Sequence, residues 1–251
     1  MEQTRIVFLF LVIGILPAST AFAEFVGINI GAAHWSPALS GTFNSNDNGS
    51  SIDLVDDLGI NSSDTRSSLV LILEHPIQSL PNIKYQGFRL DSSGAETLNS
   101  NLDFNGQTFN SGNRVTTSFN LSHDDIVFYY GLIDNWINLD MGVDLKRFDG
   151  EVALSGNTSS RLAIDETIPL LYLSARFDLP YDGFYIGANF NNLGLGSSSV
   201  EDTTIKLGYE TNTGIGVEGG IKTFSLELDD ADNLDTDLKY DGIFLNGFYR
   251  F

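Results

Sequence analysis

The chain carries three histidines, His34, His75 and His123, the candidate bases of a Ser/His/acid hydrolytic set. His123 stands beside Ser122, Asp124 and Asp125, the residue types of a nucleophile and an acid around a base. Adjacency in sequence does not converge three side chains on one reacting atom, and no G-x-S-x-G turn is present to expose a serine. Polar residues at a rim or in an interior account for the same pattern, so no catalytic residue is assigned and no enzymatic activity is expected. The run from Asp229 to Asp237 (DDADNLDTD) has the carboxylate density of a calcium loop. It lacks the central glycine and the spaced glutamate that shape one, and reads as a solvated acidic hairpin loop. Weak divalent-cation binding at acidic loops is as far as it goes; no metal site and no cofactor is assigned. The sequence has no cysteine, so it offers neither a thiol nor a disulfide.

The ordered charges lie elsewhere, in segments that alternate with period two. In Trp136 to Lys146, the residues Ile137, Leu139, Met141, Val143 and Leu145 fall on one face of a strand, and Asn138, Asp140, Gly142, Asp144 and Lys146 fall on the other. The same alternation runs through Val26–Ala32, Leu69–Glu74, Leu171–Asp178, Phe184–Asn191, Ile205–Glu210 and Ile243–Phe251. Three further segments, Asn82–Asp91, Thr116–Leu132 and Ile215–Leu228, alternate less cleanly. Between Leu121 and Ile126, and again between Ile221 and Phe224, the apolar parity reverses. A β-bulge near Gly219-Gly220 or Thr223 is the expected cause of the second reversal. About ten strands result.

What must position these residues is a sheet with one apolar and one charged face. In a soluble sandwich the apolar face would be the core; in a membrane barrel it meets lipid, and the charged face lines the lumen. Connection lengths favour the barrel. The joins at Pro76–Pro81, Asp134–Asn135, Leu179–Asp182 and Thr211–Gly214 are short, whereas Ser36–Arg66, Ser92–Ser111 and Asp229–Thr236 are long and polar. Short turns on one side, longer loops on the other and an even strand number are the marks of an up-and-down transmembrane β-barrel. The lumen-facing candidates are then Glu74, Asp140, Asp144, Lys146, Arg176, Asp178, Lys206, Glu210, Glu218, Lys222 and Arg250. Trp136, Phe177, Tyr181, Phe184, Tyr209, Tyr249 and Phe251 gather at the short-turn side, as an interfacial aromatic girdle does.

Residues 1–23 read as a cleaved Sec signal peptide: a polar start, the apolar run Ile6–Leu16, and the small-x-small site Ala21-Phe22-Ala23. The barrel then spans 24–251, exported to a bacterial outer membrane. The net charge of −20 leaves no basic surface for phosphate contact, so nucleic acid is not an expected partner. Among lipopolysaccharide phosphates such acidity calls for bridging divalent cations.

The ending Leu245-Asn246-Gly247-Phe248-Tyr249-Arg250-Phe251 resembles the C-terminal signal recognised by the barrel-assembly machinery, through the aromatic pair Tyr249 and Phe251. With Trp35-Ser36-Pro37 closing the first strand, Tyr129-Tyr130, Asp134-Asn135-Trp136 and Gly142, the chain resembles a family of small proteobacterial outer-membrane barrels of uncharacterised function, broadly OmpW-like in size. The resemblance implies location and fold, with outer-membrane lipid, lipopolysaccharide and the assembly machinery as partners, and implies no activity.

One element departs from the barrel pattern. Ser51 to Gly59 has an N-cap serine, a C-terminal glycine and Ile52, Val55 and Leu58 on one side, which predicts a short helix in the first outer loop. For the whole chain the expected role is structural or interactive, without chemistry of its own. A narrow channel for small solutes and a lipid-modifying enzyme stay open as alternatives.

Overall fold

The computed structural model describes residues 26–44, 51–61, 66–231 and 234–251. The expected signal peptide, residues 1–23, lies outside the described residues. In chain order the strands are β1 (Gly27–Asn44), β2 (Ile52–Asp53), β3 (Arg66–Glu74), β4 (Asn82–Phe88), β5 (Asp91–Thr97), β6 (Leu102–Phe104), β7 (Gln107–Phe109), β8 (Arg114–Asn120), β9 (His123–Asp134), β10 (Ile137–Ser155), β11 (Ser159–Asp178), β12 (Phe184–Leu195), β13 (Ser198–Glu210), β14 (Ile215–Ala231) and β15 (Leu234–Arg250). Ten of them, β1, β3, β4 and β9 to β15, close an antiparallel barrel in which β15 returns to β1 from Asn29↔Arg250 to Asn44↔Asp235. The start of β1 at Gly27 and the end of β15 at Arg250 lie at one end of the barrel together with the short turns.

The exterior carries an apolar belt next to that end. Leu69, Val143, Ile205, Ile221 and Ile243 are all exposed, the last at 71%. On β10 the belt runs from Ile137 to Leu145; nine residues at about 3.4 Å and a tilt of ~40° span roughly 21 Å, close to an outer-membrane apolar band. Beyond it the outward positions turn polar, as at Arg147, Asp149, Thr203, Thr223 and Asp241. Trp136, Tyr181 and Phe251 are the most exposed of the aromatic residues at the short-turn end.

The two parity reversals are not slips in pairing. The β13–β14 register runs without a shift from Ser199↔Glu227 to Glu210↔Gly216, so there is no bulge at Gly219-Gly220 or Thr223. Phe224 and Leu226 point inward, as Lys222 does, and are buried. In the other segment β8 and β9 meet β10 in one continuous register, and Phe119 and Leu121 point inward with His123 and Asp125. The reversal marks a change of medium: beyond the belt, water bathes the outside and the inside becomes a dry core. The register shift that does occur in this region lies opposite Leu139 and Asp140, where Leu132 is the extra residue.

That dry core fills the outer half of the barrel. It joins Trp35, Leu39, Phe43, Phe88, Leu90, Phe119, Phe148, Phe224, Leu226 and Tyr240 from the wall with Leu98, Leu102, Phe104 and Phe109 from the second outer connection. Strands β6 and β7 form a small hairpin over the mouth, placing Phe104 and Phe109 at full burial.

The expected helix is absent. Ile52 and Asp53 instead pair as β2 with Phe43 and Thr42 of β1. A single turn follows, held by Asp57 N–H to Asp53 O and Gly59 N–H to Val55 O, both 3.0 Å. Asp53, not Ser51, caps it: its carboxylate accepts from the N–H groups of Val55 and Asp56 at 2.9 and 2.8 Å. Gly59 ends the turn at φ +63°, a left-handed conformation that suits glycine. The buried set is Ile52, Leu54, Leu58 and Ile60, while Val55 is only half-buried. The i, i+3, i+6 spacing that pointed to a helix is met instead by a strand, a turn and a return.

The outer connections also differ from the lengths expected. β1 runs on through Trp35-Ser36-Pro37 to Asn44, β5 occupies Asp91–Thr97, and the acidic run is largely the ends of β14 and β15. β12 and β13 are joined by Gly196-Ser197 alone. Among the described residues the outer half is thus built of prolonged strands, with the β6–β7 hairpin between β5 and β8.

Candidate functional site: the charged lumen

The half of the lumen at the short-turn end is a polar cavity of about 850 Å³, closed above by the dry core. Glu74, Asp140, Arg176, Asp178, Lys206, Glu218, Lys222 and Arg250 line it. Alternation carries them inside because each stands opposite a lipid-facing apolar neighbour. Glu210 sits between two cations, 3.1 Å from Arg176 and 3.6 Å from Arg250. Asp144 and Lys146 are fully buried at the inner end of the cavity. All eleven residues therefore point inward, but they form several separate groups.

On the β11–β15 wall the charges are paired. Arg176 also holds Asp178 at 2.8 Å and lies 3.7 Å from the Tyr185 ring centroid. Lys206 meets Glu218 at 2.7 Å, and Glu218 further accepts from Tyr185 OH at 2.7 Å and Asn246 Nδ2 at 3.0 Å. On the opposite wall Glu74 accepts from Tyr129 OH at 3.2 Å, and the Lys84 ammonium lies 5.7 Å from the Tyr172 ring centroid.

The boundary between cavity and dry core is a buried charge layer. Lys146 Nζ donates to Asp125 at 2.7 Å and to Asp202 at 3.3 Å; Lys222 Nζ donates to Asp202; Asn191 Nδ2 donates to Asp144 at 2.8 Å. The two ammonium groups also face aromatic rings of the core, Lys146 at 5.3 Å from the Phe224 centroid and Lys222 at 4.7 Å from Phe88. Each ammonium group thus sits where the buried carboxylates meet the aromatic core. A void of about 20 Å³, room for one water, adjoins Asp125, Asn191, Asp202 and Lys222.

Asn191 lies on the polar face expected of Phe184–Asn191, whereas Asp125 and Asp202 are not among the expected lumen residues. Asp125 falls in a segment whose alternation is irregular, and Asp202 precedes the Ile205–Glu210 pattern by three positions.

The histidines go three ways. His34 is on the exterior, its Nδ1 3.0 Å from Ser67 Oγ. His75 braces a turn: Nδ1 accepts from Ile77 N–H at 3.2 Å and Nε2 donates to Pro81 O at 3.0 Å. His123 is buried among Phe88, Phe148 and Phe224, with Nδ1 on the Leu121 carbonyl at 3.0 Å. Among the described residues no serine, histidine and acid converge as a hydrolytic set. Ligand-type atoms of His123, Asp125 and Asp202 come within 4.8 Å of one another. Lys146 and Lys222 already occupy both carboxylates, so the group reads as an ion-pair network and no metal is assigned to it.

The sequence matches no protein-family model and no curated protein. The fold is similar to solved structures of outer-membrane proteins. The outer membrane protease OmpT from Escherichia coli is 13% identical with a TM-score of 0.48, over 89% of this chain and 97% of that one. Ail, the attachment invasion locus protein of Yersinia pestis, is 11% identical with a TM-score of 0.34, over 91% and 100%. The outer membrane protein OprG from Pseudomonas aeruginosa is 10% identical with a TM-score of 0.24, over 90% and 95%.

Proposed function

We propose that the protein is a plugged outer-membrane barrel whose role is structural and interactive, with no solute path through it. One observation carries this reading: the outer half of the lumen is occupied by buried aromatic and aliphatic side chains, from Trp35, Phe88, Phe148 and Phe224 in the wall to Phe104 and Phe109 in the covering hairpin. Packed apolar side chains leave no hydrated route, and the charge layer beneath them would have to be broken before an ion could enter. The apolar belt and aromatic rim support insertion in the bacterial outer membrane. The acidic strands above the belt would then meet lipopolysaccharide phosphates through bridging divalent cations. The pair Tyr249 and Phe251, with rings 4.5 Å apart at the rim, is the proposed contact for the barrel-assembly machinery.

Planar-bilayer recording of the refolded protein tests the reading. It should give no steady conductance steps, and Phe224→Ala with Phe148→Ala should be needed before any appear. Stable openings in the unaltered protein would favour the narrow channel instead.

A further inference from the structure

The barrel wall is not equally tall all round. β11 pairs with β10 from Ser159 to Phe177, but with β12 only from Leu171 to Asp178. β12 continues along β13 and turns back, leaving the outer part of β11 with one partnered edge. Among the described residues no strand pairs with its other edge from Ser159 to Leu170.

The direction of the backbone groups there follows from four observations. Asp178 N–H donates to Trp136 O, toward β10, whereas Leu179 N–H donates to Phe184 O, toward β12. Pro169 has no N–H and pairs opposite Leu145, where a β10-facing donor would otherwise be missing. The Arg161 carbonyl accepts 3.0 Å from Asn105 Nδ2, a group outside the β10–β11 ladder. Even-numbered residues of β11 therefore bond to β10, and Ala163, Asp165 and Thr167 turn their N–H and C=O groups to the open edge.

We infer that this edge is a docking site for an extended polypeptide segment that adds as a further strand, carrying basic residues outward and apolar residues inward. The inward side chains beside it are Ile164 and Ile168, half-buried and leaning against the dry core, with the exposed Glu166 between them. The outward side offers Asp165, which is 77% exposed and meets its nearest cation, Arg147, at only 3.9 Å. Main-chain bonds would supply affinity and the alternating side chains specificity. A second copy of this chain fits less well. Antiparallel pairing of two β11 edges about Asp165 sets that carboxylate against itself, with Glu166 next to it. The edge lies beyond the apolar belt, so the partner approaches from the solvent side. It deepens the interaction role proposed above; because the test reads amide protection and not conductance, a conducting barrel and an empty edge are distinguishable failures.

The probe is an eight-residue peptide of alternating lysine and valine, added to the full-length protein in neutral detergent micelles, with a glutamate–valine peptide as control. Hydrogen exchange at Ala163, Asp165 and Thr167 should slow at least tenfold with the lysine peptide and stay unchanged with the glutamate one. Thr167→Pro removes an edge donor without touching the β10 ladder, and should weaken binding at least tenfold while the folded band on unheated gels is retained. Ala163→Pro makes the same test should Thr167→Pro fail to fold. Equal protection by both peptides, no protection, or unchanged binding in a folded proline variant overturns the proposal. So does a dimer in sedimentation that either proline variant abolishes, because a second copy would then occupy the edge.

Discussion

The two halves of this barrel use one strand alternation with opposite meanings. Near the short turns Val217 and Ile221 face out and Glu218 and Lys222 face in; farther along the same strand Thr223 and Ser225 face out and Phe224 and Leu226 face in. Backbone and register are continuous across the change. The difference lies wholly in what each face touches: lipid outside and water inside for one half, water outside and packed side chains inside for the other. Apolar parity along a strand therefore reports the surrounding media and gives inside or outside only when one medium is known.

The largest effect expected from breaking this contrast is in the dry core. Phe224 is fully buried and stacks near Phe148, His123 and Tyr240. Phe224→Ala should cost about 3–5 kcal/mol in urea unfolding of the refolded protein. Asn189→Ala, on the cavity wall where water can fill the space, should cost under about 1 kcal/mol. Equal losses at the two sites would mean the outer half is as wet as the inner one.

Arginine substitutions sharpen the same contrast from outside. Val143→Arg, in the belt, should destabilise the barrel in lipid by about 2–4 kcal/mol. Thr203→Arg, outward-facing but beyond the belt, should change stability by no more than about 0.5 kcal/mol. Matching penalties would place the lipid boundary higher than the change in exterior polarity does.

How much of this was legible in the sequence follows from range. Trp136–Lys146 could be read residue by residue, because lipid and lumen impose a local period of two. Phe224 and Leu226 point in the sequence to a bulge, because a single strand cannot reveal that its neighbours Trp35, Phe148 and Tyr240 also turn apolar inward at that height. The charge layer is half visible: Lys146 stands in clean alternation and Lys222 just before a parity reversal, while Asp202, 56 residues from Lys146, is joined to it only by barrel closure. The segment Ile52–Leu58 reads as a helix because an amphipathic spacing is shared by a helix and by a turn that is pinned at both ends.

Those pins make the first outer loop part of the wall. On one side Thr42 and Phe43 pair with Asp53 and Ile52, and Leu54 N–H reaches Gly41 O at 3.3 Å. On the other, Ile60 bridges Gly94, and Asn61 N–H reaches Ser93 O at 3.3 Å. The segment stitches β1 to β5 where no long strand spans the gap. A Cβ at Gly94 would sit against the Gly59 carbonyl, well inside contact distance. Gly94→Ala should then part the seam at a cost of about 1–3 kcal/mol, read as faster proteolysis within 51–61 with the folded gel band unchanged.

The smallest effect belongs to the cap that shapes this stitch. Asp53 accepts two backbone N–H groups, and its own N–H donates to Asp57 Oδ2 at 2.9 Å, so the turn is closed from both ends by carboxylates. Asp53→Ala leaves two donors without their partner and should cost about 1 kcal/mol. Asp53→Asn keeps an acceptor of the same reach and should recover most of that. The turn orients Leu54 and Leu58 into the dry core, so loss of the cap should loosen their packing and raise protease sensitivity at Val55-Asp56, less than Gly94→Ala does. If Asp53→Ala leaves proteolysis unchanged while Gly94→Ala raises it, the seam to β5 alone holds the loop and the cap is incidental. If neither variant alters it, the segment is not part of the wall, and the outer half must be closed by the β6–β7 hairpin instead.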